Sequence, residues 1–394
     1  MHVAGRLPRI AIAGSLAQKP RQGGHTWQFL NYLLGLRGIG WEVLFLDRLE
    51  PDMCVDAAGN PCAVEDSVNL AYFLDVMRRF GLGECFSLDF GSGTRVYGMP
   101  RAEAREFLRT SAALVNVMGF LVDEDLLAAP PLRVFLDTDP GFGQMWCDLG
   151  QADLFRGHDR HVTIAENIGS PACTIPTCGI DWITWRQPIV LAEWPAQPPT
   201  LPADGGRFTS IGAWRGPYAP VEHRGHTYGL RVHEFRKYLS LPRMTGSRFE
   251  VALDIHAAES RDLAALAAHG WTLADPAVVA CDPWVYRGYL AGSAAEFMAT
   301  KGMYVDTRSG WFSERSICYL ASGRPVLAQD TGLAGLYPLG TGIVPFTTLE
   351  EAASGVAEIL GDYPRHARAA RAIAEDCFAS DEVLGDLLRK LGVA

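Results

Sequence analysis

An Arg-Ser-Gly-Trp turn at residues 308–311 carries the densest chemistry in this chain. It lies in the run from Tyr304 to Ser316, followed by Ala321 to Gly332. Together these read as strand, small-residue loop, helix, Gly-Arg-Pro stop and a second buried strand ending in Gln329-Asp330-Thr331-Gly332. A helix that opens on such a turn leaves its first backbone N–H groups unpaired at the positive end of the helix dipole. Around that start the hydroxyls of Ser309, Ser313 and Ser316 and the cations Arg308 and Arg315 are spaced to converge, with Gly310, Trp311 and Phe312 forming the turn. The chemistry implied is anion binding, and a diphosphate suits it best. The competing account is an ordinary capped helix, because Ser and Gly favour helix ends in any case. A second candidate is Asp137-Thr138-Asp139-Pro140-Gly141, whose acids follow an apolar strand and should emerge at a strand's C-terminal edge, where open α/β sheets bind ligands. Asp and Pro-Gly are also common in plain turns.

Short apolar runs alternating with helical patterns must position these groups. Arg9 to Ser15 reads as a strand, Trp27 to Leu36 as a helix and Trp41 to Asp47 as the next strand, which makes a βαβ unit. Ala113 to Gly119, Leu132 to Asp137 and His161 to Ala165 continue the alternation, and such strands imply a parallel sheet covered on both faces. A stretch rich in Pro and Gly, 197–206, is the expected linker between an N-terminal domain (1–196) and a C-terminal domain (207–378). Beyond it, Phe208 to Gly212 and Phe249 to Leu253 read as strands, with helices over Leu230 to Leu239 and Asp262 to His269. Residues 379–394 form an expected terminal helix. Pro51 to Leu70 and Glu84 to Met99 carry no repeating signal and are read as irregular, while Val68 to Phe80 looks amphipathic.

Composition excludes several classes. With 394 residues the chain exceeds what one core usually supports. A formal charge of −10 argues against a general nucleic-acid surface, so small substrates are expected, and an anion must be attracted locally. No apolar run reaches membrane-spanning length, and no secretory leader pattern stands before the first strand, so a cytoplasmic location is expected. Nine irregularly spaced cysteines read as reduced thiols, with no disulfide framework or zinc motif. Self-association stays open.

The spacing of the second-half motif resembles the donor-nucleotide segment of GT-B glycosyltransferases, which have two Rossmann-like domains facing across a cleft. That resemblance implies a diphosphate held by Arg308 through Ser316 and a donor sugar lined by Gln329, Asp330, Thr331 and Gly332. It also places a loop with a basic residue near the phosphates, which points to Arg215 in Ile211-Gly212-Ala213-Trp214-Arg215-Gly216. A Gly-His pair stands eighteen residues before the Val of the second strand in plant and antibiotic-type members. Gly24-His25 and Val43 reproduce this, with Gly23 and Gly24 as an acceptor-side loop. The resemblance makes His25 the general base, a role an imidazole of pKa roughly 6.5 suits; the strand-end position of the Asp-Thr-Asp run makes Asp139 the candidate orienting acid, with Asp137 as its substitute. In that fold the last helix crosses back onto the first domain.

Departures from the pattern also inform. The two glutamates of retaining members are missing: the corresponding positions hold Ser309 or Gly310, and Ser316, Ile317 or Cys318. A UDP- or dTDP-sugar donor, a small-molecule acceptor and an inverting displacement needing no metal or other cofactor are therefore expected. A nucleotide-sugar epimerase of the same architecture is the alternative. The Asp-Thr-Asp run also fits, weakly, a divalent-metal site of the other major transferase fold.

Overall fold

The computed structural model describes residues 7–203 and 205–393. Two parallel-stranded sheets dominate it. The first contains β1 (Arg9–Ala13), β2 (Glu42–Leu49), β3 (Phe86–Phe90), β4 (Arg95–Gly98), β5 (Ala113–Val117), β6 (Arg133–Asp137), β7 (Arg160–Thr163) and β8 (Trp182–Thr184), in the order β4-β3-β2-β1-β5-β6-β7-β8. Only β4 runs antiparallel, paired with β3. β9 (Phe208–Ala213) is followed by a small hairpin, β10 (Val221–His223) with β11 (His226–Tyr228). The second sheet joins β9 to β12 (Phe249–Asp254), β13 (Trp271–Ala274), β14 (Ala295–Met298), β15 (Val326–Gln329) and β16 (Ile343–Phe346), in the order β13-β12-β9-β14-β15-β16.

The sequence explains the sheets simply. Ile10-Ala11-Ile12-Ala13, Val326-Leu327-Ala328-Gln329 and Ala295-Glu296-Phe297-Met298 are buried throughout, as strands covered by helices on both faces must be. In each sheet the order reverses beside a central strand, at β1 in the first and at β9 in the second. Ligands of open α/β sheets bind at the carboxyl ends of such strands.

The Gly23–Gly38 helix follows β1 and is apolar on most sides because elements of both halves cover it. Trp27 Nε1 donates to Pro283 O at 2.8 Å, and Gly35 leaves room for Leu384 of the Ser380–Leu391 helix, whose Cδ1 would lie 2.5 Å from a Cβ there. That last helix is pinned to the first sheet's side by Trp185 Nε1, which donates to Val383 O, and by the bridge between Ile189 and Ala379.

Several readings need correction. Glu84 to Met99 is not irregular: it forms β3 and β4, whose four or five residues with a Gly-rich turn give too short an alternation to recognise. Tyr304 to Thr307 is not a strand. It closes a short helix, Gly302–Asp306, and the preceding strand is β14, hidden because Ala295–Met298 is only four residues long. The expected Leu230 to Leu239 helix breaks into Arg231–Phe235 and a 3-10 turn at Arg236–Tyr238.

Candidate active site

The carboxyl ends of both sheets meet in one cleft. From the first half come the β1 loop with Ser15 and Lys19, His25 on the helix that follows, and Asp139 just past β6. From the second come the end of β9, Arg231, Lys301 just past β14, and the start of the Glu314–Ala321 helix.

Charge is concentrated on the second side. Arg231 Nη1 donates to Ile211 O at 3.2 Å, and Arg315 Nη1 donates to the same carbonyl at 2.7 Å. Arg315 Nε reaches Glu296 Oε1 at 2.6 Å, and Glu296 is fully buried in β14. Two guanidinium groups thus crowd one carboxylate, with Arg315 Nη2 and Glu296 Oε2 buried and lacking hydrogen-bond partners. Burial, then repulsion from Arg315, pulls the Arg231 pKa down to about 9, the mark of a cation short of counter-charge. Gly212 makes this arrangement possible, since a Cβ there would lie 1.9 Å from Arg231 Nη1. Close by, the backbone N–H groups of Glu314, Arg315 and Ser316 find no acceptor among the described residues, and Ser313 at the N-cap makes no capping bond. Free amides at a helix start beside two guanidiniums are the donors an anion site requires.

Across the cleft, Lys301 Nζ donates to Asp139 Oδ1 and Oδ2 at 2.7 and 2.6 Å, and Tyr304 Oη bonds the same carboxylate. The ammonium also lies 5.0 Å from the Phe142 ring and 5.6 Å from that of Tyr218. Tyr304 stacks on Trp311 with centroids 4.2 Å apart. Lys19 is close enough to this pair for Asp139 to raise and Lys301 to lower its pKa, although burial is the largest influence and the net shift is downward.

His25 differs from expectation. Its Nε2 lies 3.3 Å from both Ser15 Oγ and Ser15 O, and its ring meets Phe29 edge-on at 5.1 Å. No carboxylate among the described residues hydrogen-bonds it. Burial, then the Lys19 charge, pushes its pKa down to about 3, so the ring is neutral at ordinary pH and a feeble base. Asp139 is not its partner because Lys301 and Tyr304 hold it. Asp137 is no substitute: it turns into the first half, accepting from Gln144 Nε2 at 2.6 Å and Thr163 Oγ1 at 2.9 Å. The two acids of the Asp-Thr-Asp run therefore face different partners, and no cluster of three or more His, Cys, Asp or Glu among the described residues could hold a metal ion.

The hydroxyls expected to converge on a phosphate are mostly spent inside the protein. Ser309 Oγ donates to Tyr304 O, Ser316 Oγ to Met298 Sδ and Thr331 Oγ1 to Trp311 O, while Phe312 stacks in the core on Phe378. Gly310 and Gly332 sit beneath Asn167 of the first half, whose Nδ2 donates to Arg308 O and Gly332 O. Arg308 is 54% exposed and 4.0 Å from Asp330, whose Oδ1 caps the Gly332 and Leu333 amides. Gln329 is buried against Glu234, Tyr238 and the Thr300 amide. Arg215 is gripped by Glu259 at the surface. Gly23 and Gly24 start the helix instead of forming an acceptor loop: a Cβ on Gly23 would lie 2.3 Å from Asp282 O, and one on Gly24 3.0 Å from Tyr286, so glycine here permits contact between the halves. Arg315, Ser313 and the helix start remain in the cleft, joined by Arg231, Lys301 and Lys19, which sequence reasoning missed. A lysine three residues past a buried strand was the available signal for Lys301, lost with that strand.

No protein-family model and no curated protein matches the chain. Solved structures do. An alpha-glucosyltransferase in complex with UDP and DNA containing an HMU base is similar over 98% of this chain and 100% of its own, with a TM-score of 0.56 and 9% identity. Anabaena Alr3699/HepE in complex with UDP-glucose gives 0.56 and 11% over 98% and 100%. A glycosyltransferase from Rickettsia africae gives 0.53 and 11% over 98% of each chain. The chain has the GT-B fold. The alignments run nearly the whole length of both proteins, so the likeness covers the arrangement of both Rossmann-like domains of this GT-B chain and not one sheet alone. No helix among the described residues is long and apolar enough to cross a membrane.

Proposed function

We propose that this GT-B protein is a glycosyltransferase that moves a sugar from a nucleotide-diphosphate donor of UDP or dTDP type to a hydroxyl of a small-molecule acceptor. The observation that carries this is the under-compensated pair Arg231 and Arg315 on one carbonyl beside the free amides of Glu314, Arg315 and Ser316. A diphosphate supplies the missing negative charge and accepts those amides, and the same groups stabilise it as leaving group without a metal ion. Lys301 lies on the same half, just past β14, where exchanging Asp139 for a phosphate oxygen brings a third cation to the donor.

His25 acts in this proposal as a neutral hydrogen-bonding group, since a conjugate acid of pKa about 3 makes it a poor proton acceptor. The departing diphosphate then takes the acceptor's proton, and attack from the leaving group's face retains the anomeric configuration. That choice replaces the inverting displacement expected from the sequence. The solved relatives that bind UDP or UDP-glucose support the donor class. A DNA acceptor, which one of them has, fits this chain poorly because its formal charge is −10.

Incubation with a panel of nucleotide sugars, with and without sugar, aglycone and hydroxymethyl-pyrimidine DNA acceptors, tests the reading. Acceptor-dependent nucleotide release that falls in Lys301→Ala is expected. Isomerised nucleotide sugar without any acceptor would point to an epimerase, and a product of inverted configuration would reject the proton route.

A further inference from the structure

A cavity of about 170 Å³ opens at the ends of β2 and β3, lined wholly by residues of the first half. One wall is apolar, built from Leu46, Val96 and Leu121. The other is charged. Arg48 lies 3.8 Å from Glu50, and Arg101 Nη2 donates to Asp123 at 2.8 Å, so each guanidinium already has a carboxylate. Asp89 is less fully matched: the Gly93 amide and the Arg101 charge act on its carboxylate, but its Oδ1 is buried and lacks a hydrogen-bond partner, as does Arg48 Nε. Asp47 completes the lining, and its carboxylate accepts from Ala17 N at 2.7 Å. Asp47 thus ties the cavity wall to the β1 loop that carries Ser15 and Lys19.

Four acids, Asp47, Glu50, Asp89 and Asp123, face two arginines, and the acceptor atom left without a hydrogen bond is Asp89 Oδ1. A ligand that fits must bring a cation or strong donor to Asp89, an acceptor to Arg48 Nε, and a flat apolar face to the leucine wall. We propose that this cavity binds the acceptor of the transfer reaction and selects an amine-bearing polyol, an amino sugar or aminocyclitol, through Asp89. Burial raises the Asp89 pKa despite the opposing charge of Arg101 and a hydrogen bond from the Gly93 amide, and a bound ammonium counters that burial. The inference rests on the transferase reading for its biological meaning and on the cavity alone for binding.

Saturation-transfer NMR on the full-length protein tests it, with glucosamine, glucose and N-acetylglucosamine as probes below the pKa of the free amine, and UDP in a parallel sample. Glucosamine should bind at least about tenfold more tightly than either neutral sugar. Asp89→Asn should abolish that preference while leaving the UDP signal, which also certifies the fold. Val122→Arg, at a rim position 58% exposed, should weaken glucosamine by repulsion without disturbing the core. Equal binding of the three sugars, or glucosamine binding unchanged in both variants, overturns the proposal. Amine binding without any nucleotide binding would keep the cavity's selectivity and overturn the transferase reading instead.

Discussion

Gly212→Ala offers a sharp test of the donor site because its effect passes through a different residue. An alanine Cβ would fall 1.9 Å from Arg231 Nη1 and 2.8 Å from its Cζ, so the guanidinium has to leave Ile211 O and the cleft beside it. The displaced atoms are the far end of a flexible side chain, and because Gly212 also has a φ of 159°, thermal melts of the variant check that backbone strain has not unfolded it. If Arg231 gives one charge-assisted hydrogen bond to a diphosphate, its loss costs about 1.5–3 kcal/mol, or about 10- to 150-fold in Kd. Isothermal titration of UDP and dTDP into wild type, Gly212→Ala, Arg231→Gln and the double variant measures this. Each single variant should weaken nucleotide binding within that range, and the double variant should be no worse than Arg231→Gln alone, because the two changes remove the same contact. An unchanged Kd in Arg231→Gln would show that Arg231 does not hold the donor, and additive losses would show that Gly212→Ala acts by a route other than Arg231.

Three further outcomes are expected. His25→Gln, which preserves a hydrogen-bonding group but no base, should keep transfer within about tenfold of wild type, whereas a general base would cost about 10²–10⁴; rates with saturating donor decide it. Glu314 is buried against Asn31 and Cys318, and burial raises its pKa to about 7 from 4.5. Because the folded state binds that proton more tightly than the unfolded chain, its contribution is full below pH 4.5 and lost as pH rises through 7. Glu314→Gln should therefore flatten this part of the Tm profile and raise Tm above pH 7, and an unchanged slope in thermal melts would refute the assignment. Transfer should persist in EDTA, since amides and guanidiniums supply the positive charge; activity lost in EDTA and restored by Mg²⁺ would contradict the metal-free donor site.

The sequence alone determined the alternation of buried strands with helices and the presence of a helix after the Ser-Gly-Trp turn, although that helix begins only at Glu314. Both are local properties, written in runs of apolar residues and in the residues that open a helix. It also exposed the Gly-His start of the first helix, though not what surrounds it. Short elements escaped: β14 has four residues and β4 four, too few for a period to show, and with β14 went the recognition of Lys301. What only the tertiary structure decided is which polar groups are already satisfied. Ser309, Ser316 and Thr331 bond within their own half, and Asp139 meets Lys301 across 162 positions of sequence instead of His25. Arg231 and Arg315, 84 positions apart, meet at one carbonyl. Residue type sets what a side chain can donate, accept or carry as charge, but whether that capacity is free depends on neighbours that folding brings from distant parts of the chain.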